Sequence, residues 1–305
     1  MRHFISLADV TAAEMERILA IAEDLKEKFQ HGIREPLLPR RVLALLFEKP
    51  SLRTRVSFEA GMAHLGGSSL FLGEDVGFGK RESIADFARV LSELVDGVVV
   101  RSKKHETVVG LAENATCPVI NGLTDYLHPC QTLADLFTIR EVFGTLKGRK
   151  VAWIGDANNV ARSLAVGCGH AGMAMTLAAP KKYQFDERSL EFIRDSVPDL
   201  AFEMTEDPYA AVDGVSAVCT DVFASMGQEQ ERGIRLKELA DFQVNGKLMA
   251  HAPKEACFLH CLPARRGEEV TDEVMDGPQS VVVRQAGNRM HAQKGLLTWL
   301  LGTQG

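Results

Sequence analysis

Between Ser6 and Gln30 the apolar positions Met15, Ile18, Leu19, Ala22 and Leu25 recur with a helical period, which predicts a packing helix. Beyond it one theme repeats: a short β-rich run, a polar or Gly/Pro-containing loop, and an amphipathic helix. The runs Val42–Phe47, Ser69–Leu72, Val98–Arg101 and Pro118–Asn121 are followed by helical patterns at Arg53–Leu65, Ser83–Val95, His105–Glu113 and Pro129–Phe143. Such alternation predicts a parallel sheet wrapped by helices. The breaker stretch from Gly144 to Gly148 interrupts the theme, which restarts with strands at Lys150–Ile154, Ala174–Ala178, Ala201–Met204, Ala217–Thr220, Phe258–Cys261 and Val281–Val283. A last helix, Met290 to Leu301, is apolar on one side and is expected to fold back across the first domain. The expected fold is therefore α/β with two domains, residues 1–143 together with 290–305 and residues 148–288. Each would be a parallel β-sheet flanked by helices, with an active-site cleft between the domains.

Composition narrows the partners. The 305 residues are 46% hydrophobic and 25% charged, ordinary for a soluble globular chain and enough for two cores. A net charge of -6, with no basic block longer than pairs such as Lys103-Lys104, argues against nucleic acid. No apolar run approaches the roughly 20 residues of a membrane helix, and the first residues lack the layout of a signal peptide. A cytoplasmic protein without membrane contact is expected. The six cysteines show no paired spacing, so no disulfide framework is expected. Cys257-x-x-His260-Cys261 faintly suggests metal ligands, but a strand would point His260 and Cys261 to opposite faces, and no metal site is expected.

In open α/β sheets, ligands bind beyond the carboxyl ends of the strands, so the residues there carry the functional reading. After Val42–Phe47, the stretch Glu48 to Arg55 packs Lys49, Arg53 and Arg55 with the hydroxyls of Ser51 and Thr54 into the start of a helix. A capped, solvated helix is the ordinary explanation. However, the helix dipole disfavours cations in a first turn, and free N–H groups there favour an anion, so a phosphate cradle is the better one. Arg101 ends a run of three valines. His128 precedes Pro129 at the expected start of a helix, with Gln131 close behind. In the second half, Lys150–Ile154 runs into Gly155-Asp156-Ala157-Asn158-Asn159, which has one glycine where the dinucleotide fingerprint G-x-G-x-x-G needs three, so no nicotinamide cofactor is expected. Asn158 and Asn159 are by default turn formers, yet either amide could hold the polar head of an amino acid. Asp221 follows the strand Ala217–Thr220, leads into Ser225-Met226-Gly227, and suits an ammonium-bearing ligand. Cys261 and Leu262 precede Pro263 at another strand end, and Arg289 opens the last helix.

Taken together, Ser51-x-Arg53-Thr54-Arg55, His128-Pro-Cys-Gln131, Asp221-x-x-x-Ser225-Met226-Gly227 and His260-Cys261-Leu262-Pro263 resemble the aspartate/ornithine carbamoyltransferase family, in order and over essentially the whole chain. The resemblance implies cofactor-free transfer of a carbamoyl group from carbamoyl phosphate to the side-chain amine of ornithine, in a homotrimer with active sites near subunit interfaces. It also implies roles. Ser51, Leu52, Arg53, Thr54, Arg101, His128, Gln131, Cys261, Leu262 and Arg289 would bind carbamoyl phosphate. Asn159, Asp221, Ser225 and Met226 would bind ornithine. Arg101, His128, Asp221 and Cys261 would act at the reacting centre.

The chemistry suits these groups independently. Carbamoyl phosphate carries a good leaving group, so the reaction needs a neutral amine, a polarised carbonyl and donors for developing oxyanion charge rather than a covalent nucleophile. Departures from the family pattern include Leu52, Phe223 and Gly77. At Gly77 a glutamine that would reach a neighbouring subunit is missing, with Lys80 or Arg81 the expected substitutes. An aspartate acceptor is disfavoured because Asp221 would repel it. A putrescine acceptor, and a noncatalytic amino-acid-binding protein, are the remaining alternatives.

Overall fold

Continuous apolar runs such as Val42–Phe47 and Val98–Val100 are what strands buried on both faces of a parallel sheet require, and the computed structural model, which describes residues 2–224 and 229–302, places them so. The chain divides into two compact units, residues 1–134 with 287–305, and residues 135–286.

In the first unit, β1 (Val42–Phe47), β2 (Ser68–Leu72), β3 (Gly97–Arg101) and β4 (Val119–Leu123) form a sheet in the order β2-β1-β3-β4, every pair parallel. The register pairs Phe47 with Arg101, so the chain leaves β1 and β3 at one level. Helices α1 (Ala12–Gln30), α2 (Leu52–His64), α3 (Ile84–Ser92) and α4 (His105–Asn114), the start of α5 (Pro129–Phe143) and the greater part of the last helix belong to the same unit. The α1 stripe is buried as expected, but the helix begins at Ala12. Two successive capping boxes, Ser6 with Asp9 and Thr11 with Glu14, cut the amino-terminal stretch into a short 3-10 turn and a separate helix.

The second unit holds β5 (Lys150–Ile154), β6 (Ala174–Ala178), β7 (Phe202–Thr205), β8 (Ala217–Thr220) and β9 (Cys257–His260), parallel in the order β7-β6-β5-β8-β9. Its helices are α6 (Asn159–His170), α7 (Glu187–Ser196), α8 (Pro208–Ala211), α9 (Arg232–Glu238), α10 (Gly246–Met249) and α11 (Asp272–Met275). The expected strand at Val281–Val283 is absent. These residues instead begin α12 (Val282–Leu301), so Arg289 lies within that helix and does not open it. Burial explains the difference: Val282, Gln285, Arg289, Ala292 and Leu296 are buried at helical spacing while Val283 is 85% exposed, and packing overrides the β-propensity of three valines. The division between the units falls inside α5 and α12.

Candidate functional site

In the first unit the loops after β1 and β3 are tied together. The Glu48 amide donates to the Arg101 carbonyl at 2.9 Å, and the Glu48 carboxylate accepts from the Lys103 amide at 2.9 Å. Ser51 then caps α2: its hydroxyl accepts from the Thr54 amide at 3.3 Å and donates to the Thr54 hydroxyl at 3.0 Å. Arg289 reaches the same point, donating from Nη2 to Thr54 Oγ1 at 3.0 Å and from Nη1 to Gln131 Oε1 at 2.9 Å. Thr54 thus accepts two hydrogen bonds, and its own proton remains to be given to a ligand.

The cations of the α2 first turn separate into two roles. Arg55 pairs with Glu59 at 3.0 Å and lies over the Phe71 ring at 3.9 Å, which accounts for it locally. Among the described residues the Arg53 side chain makes no hydrogen bond or ion pair. A cation at a helix N-terminus without a counter-charge is disfavoured by the dipole, so Arg53 is poised for an anion. Leu52 is 75% exposed beside it.

Arg101 and His128 are both buried. The imidazole lies well below its ordinary pKa because burial penalises the charged form and the Arg289 and Arg101 cations add to that penalty. His128 is therefore neutral at physiological pH. The structure brings Ser51, Thr54, Gln131 and Arg289 into one hydrogen-bonded set, and the electrostatic reach of Arg101 and Arg289 places His128 with them.

In the second unit, Gly155 follows β5 at φ 109, where the Phe223 ring would lie 3.0 Å from any added Cβ. Asn158 then caps α6, accepting on Oδ1 from the Val160 and Ala161 amides and donating from Nδ2 to Asp221 Oδ2 at 2.7 Å. Asn158 is thus the amide beside Asp221. Asn159, favoured from the sequence, is the first residue of the helix, and its carbonyl accepts from Ser163 Oγ at 3.0 Å. Asp221 also accepts from the Val222 amide at 2.8 Å and from the Cys261 thiol at 3.1 Å, and among the described residues no cation pairs with it. Ser225 and Met226 lie outside the described residues.

Cys261 lies one residue past β9, so strand alternation does not govern it, and the argument from opposite faces fails: single ligand atoms of Asp221, His260 and Cys261 lie within 4.8 Å of one another. Both nitrogens of His260 are already engaged. Nδ1 accepts from the Leu262 amide at 2.9 Å, which leaves Nε2 as donor to Glu269 Oε1 at 3.1 Å. Leu262 has φ 57, a left-handed conformation costing a non-glycine residue about 1 kcal/mol or more, and the His260 ring fixes it there. Glu269 holds the other end of the turn by accepting from the Arg265 amide at 2.6 Å. Glu269 is fully buried, and no local sequence signal pointed to it. Glu269→Ala is expected to lower the melting temperature, because each of two donors loses its acceptor at about 1–3 kcal/mol. Calorimetry checks this, and an unchanged transition would refute it.

Of the expected substitutes for the missing glutamine, Arg81 folds over Gly77: a Cβ at Gly77 would meet Arg81 Cδ at 2.7 Å.

Comparison with known proteins gives a consistent result. Residues 2–141 match the family described as "Aspartate/ornithine carbamoyltransferase, carbamoyl-P binding domain", and residues 147–300 match its "Asp/Orn binding domain". The chain is 50% identical over 304 residues to an ornithine carbamoyltransferase from Carboxydothermus hydrogenoformans, covering 99% of this chain and 98% of that one. It is 48% identical to one from Bacillus subtilis, covering 98% and 94% of the two chains. The solved structure of the ornithine carbamoyltransferase from Pyrococcus furiosus superimposes with a TM-score of 0.96 at 47% identity, covering 100% of this chain and 98% of that one.

Proposed function

Because the chain belongs to the aspartate/ornithine carbamoyltransferase family, we propose that it carries out the reaction for which its nearly full-length relatives are named and that the residues above perform it. It is an ornithine carbamoyltransferase, joining carbamoyl phosphate and L-ornithine to give L-citrulline and phosphate, in the biosynthetic direction that the name of one relative, the anabolic enzyme of Pyrococcus furiosus, specifies. The observation that carries the residue assignment is the unpartnered Arg53 in the first turn of α2, beside a Thr54 hydroxyl whose proton is left to donate.

The first unit binds carbamoyl phosphate. Ser51, Arg53, Thr54 and the first-turn amides, with Leu52 contributing backbone, hold the phosphate. Arg101, neutral His128 and Arg289 donate toward the carbonyl oxygen, and Gln131 orients the carbamoyl nitrogen. The second unit binds ornithine through Asp221, with Asn158 and Asn159 at the strand end beside it and with Ser225 and Met226, which follow in the sequence. Cys261 and Leu262 complete the turn next to Asp221. The side-chain amine, once deprotonated, attacks the carbonyl carbon. The new C–N bond forms, negative charge collects on the carbonyl oxygen, and the C–O bond to phosphate then breaks with its electron pair leaving on phosphate, which takes the proton that the attacking nitrogen must still lose. Donors fixed before the reaction stabilise that charge without reorganising.

Citrulline formation from the two substrates, with putrescine and aspartate as competing acceptors, tests the assignment. Citrulline should be the dominant product, and carbamoylputrescine in its place would overturn the choice of acceptor. Arg53→Ala is expected to weaken carbamoyl phosphate by about tenfold to a hundredfold, the worth of a charged hydrogen bond. Calorimetric titration measures it, and unaltered affinity would remove Arg53 from the cradle.

A homotrimer is part of the same reading: β2 stands at an open sheet edge, Leu70 and Phe71 on it are exposed, and so are Leu52 and Val56 of α2. Light scattering should give about three times the 33.4 kDa chain mass. A cytoplasmic location accords with the finding that, among the described residues, no helix is long and apolar enough to cross a membrane.

A further inference from the structure

Asp221 has a second carboxylate as its electrostatic neighbour. Asp156 follows Gly155 at the end of β5, and its side chain is 14% exposed. Burial raises its pKa above the ordinary carboxylate range, the Arg235 cation opposes the rise, and the charge of Asp221 adds to it. A largely buried carboxylate such as Asp156 beside a second one carries its charge at a cost unless a cation stands next to it. An uncompensated charge there would disturb an acceptor site built on Asp221.

Arg235 supplies that cation. It stands on α9 with its side chain 10% exposed, and Nη1 lies 3.2 Å from Asp156 Oδ2. The same nitrogen donates to the Phe223 carbonyl at 3.2 Å, two residues past Asp221. The guanidinium lies 4.9 Å from the centre of the Tyr183 ring, which restricts its plane, and Phe223 is buried against Gly155. Arg235 thus ties the chain leaving β8 to the chain leaving β5 and supplies the main counter-charge for Asp156, to which Arg162 adds a weaker one. Its other ion pair, to Glu231 at 3.3 Å, involves a carboxylate that is 65% exposed and is worth little. None of these contacts belongs to the substrate-binding set assigned above.

We propose that Arg235 is a positioning residue for the acceptor, which by neutralising Asp156 and holding the Phe223 carbonyl leaves Asp221 as the carboxylate of the pair that receives the cationic amino acid. This rests on the reading of Asp221 as the acceptor's anchor. A lysine could supply charge at this place, but not the planar fork that reaches a carboxylate and a carbonyl together.

The test uses steady-state kinetics of the full chain with both substrates varied. Arg235→Gln should raise the KM for ornithine about tenfold or more, as loss of a charged hydrogen bond implies, and leave the KM for carbamoyl phosphate within about twofold. Arg235→Lys should fall between. Adding Asp156→Asn to Arg235→Gln removes the uncompensated charge and should return the ornithine KM to within about fivefold of the parent, a rescue that loss of general packing would not show. Equal changes in both KM values, or a double variant no better than the single one, would overturn the proposal. Should Arg235→Gln fail to fold, the double variant decides alone: an ornithine KM near the parent's supports the role, and one raised about tenfold or more refutes it. The underlying reading fails separately, if the parent chain makes no citrulline or if Asp221→Asn leaves ornithine binding intact.

Discussion

Asp221→Asn is expected to lower kcat/KM for ornithine by about thirtyfold or more, since removing one partner of a desolvated charge pair costs about 2–5 kcal/mol. The substitution keeps the shape and removes the charge. It also turns one oxygen into a nitrogen beside donors: Asp221 now accepts from the Asn158 amide, the Val222 N–H and the Cys261 thiol, and an asparagine can satisfy only some of them. In the proposed arrangement the first unit supplies most contacts to carbamoyl phosphate, and Leu262 with Cys261, which donates to Asp221, the rest, so binding of carbamoyl phosphate measured without ornithine should change far less than binding of ornithine. Titrating each substrate separately gives the answer. Equal weakening of both would show that Asp221 acts on the fold rather than on the acceptor.

The second large effect is expected at Arg101. Arg101→Gln should reduce kcat by about a hundredfold to a thousandfold, the usual result of deleting one preorganised donor to an oxyanion. The guanidinium is 6% exposed at the end of β3, and its backbone carbonyl fastens the loop after β1. Glutamine retains that carbonyl and much of the side-chain volume, so the loss should appear in the chemical step. Single-turnover measurement at saturating substrates isolates that step. An unchanged rate with a raised KM for carbamoyl phosphate would confine Arg101 to ground-state binding.

Much of this was legible in the sequence, for identifiable reasons. Strands buried on both faces carry uninterrupted apolar runs, so Val42–Phe47, Lys150–Ile154, Ala174–Ala178 and Ala217–Thr220 were read with the bounds they have. Pro129 announced α5 because its missing N–H is harmless at a first helical position. Val281–Val283 misled because three valines have the same local preference whether a strand or a helix receives them, and only the buried face of α12 distinguishes the two. Ser51, Thr54 and Gln131 follow strand ends and share that address in the sequence, whereas Arg289 meets them from within α12 and not from the strand end expected for it. What escaped was support by side chains away from the strand ends: Glu269 accepts from His260 and Arg265 within one turn, Arg235 reaches Asp156 from a distant segment, and no local pattern signals either. Asn158 and Asn159 are indistinguishable in the sequence, because adjacent amides look alike until the N-cap geometry of α6 assigns Asn158 to Asp221.

Burial holds His128 uncharged, and the remaining donors around it are guanidinium groups, hydroxyls and an amide that do not titrate in water near neutrality. From mild acid to mild alkali that surface presents a constant electrical face. Any response of turnover to acidity over that span has to enter from elsewhere, through the ionisations of the two substrates or the groups of the second unit, so this half of the machinery does not set the working range.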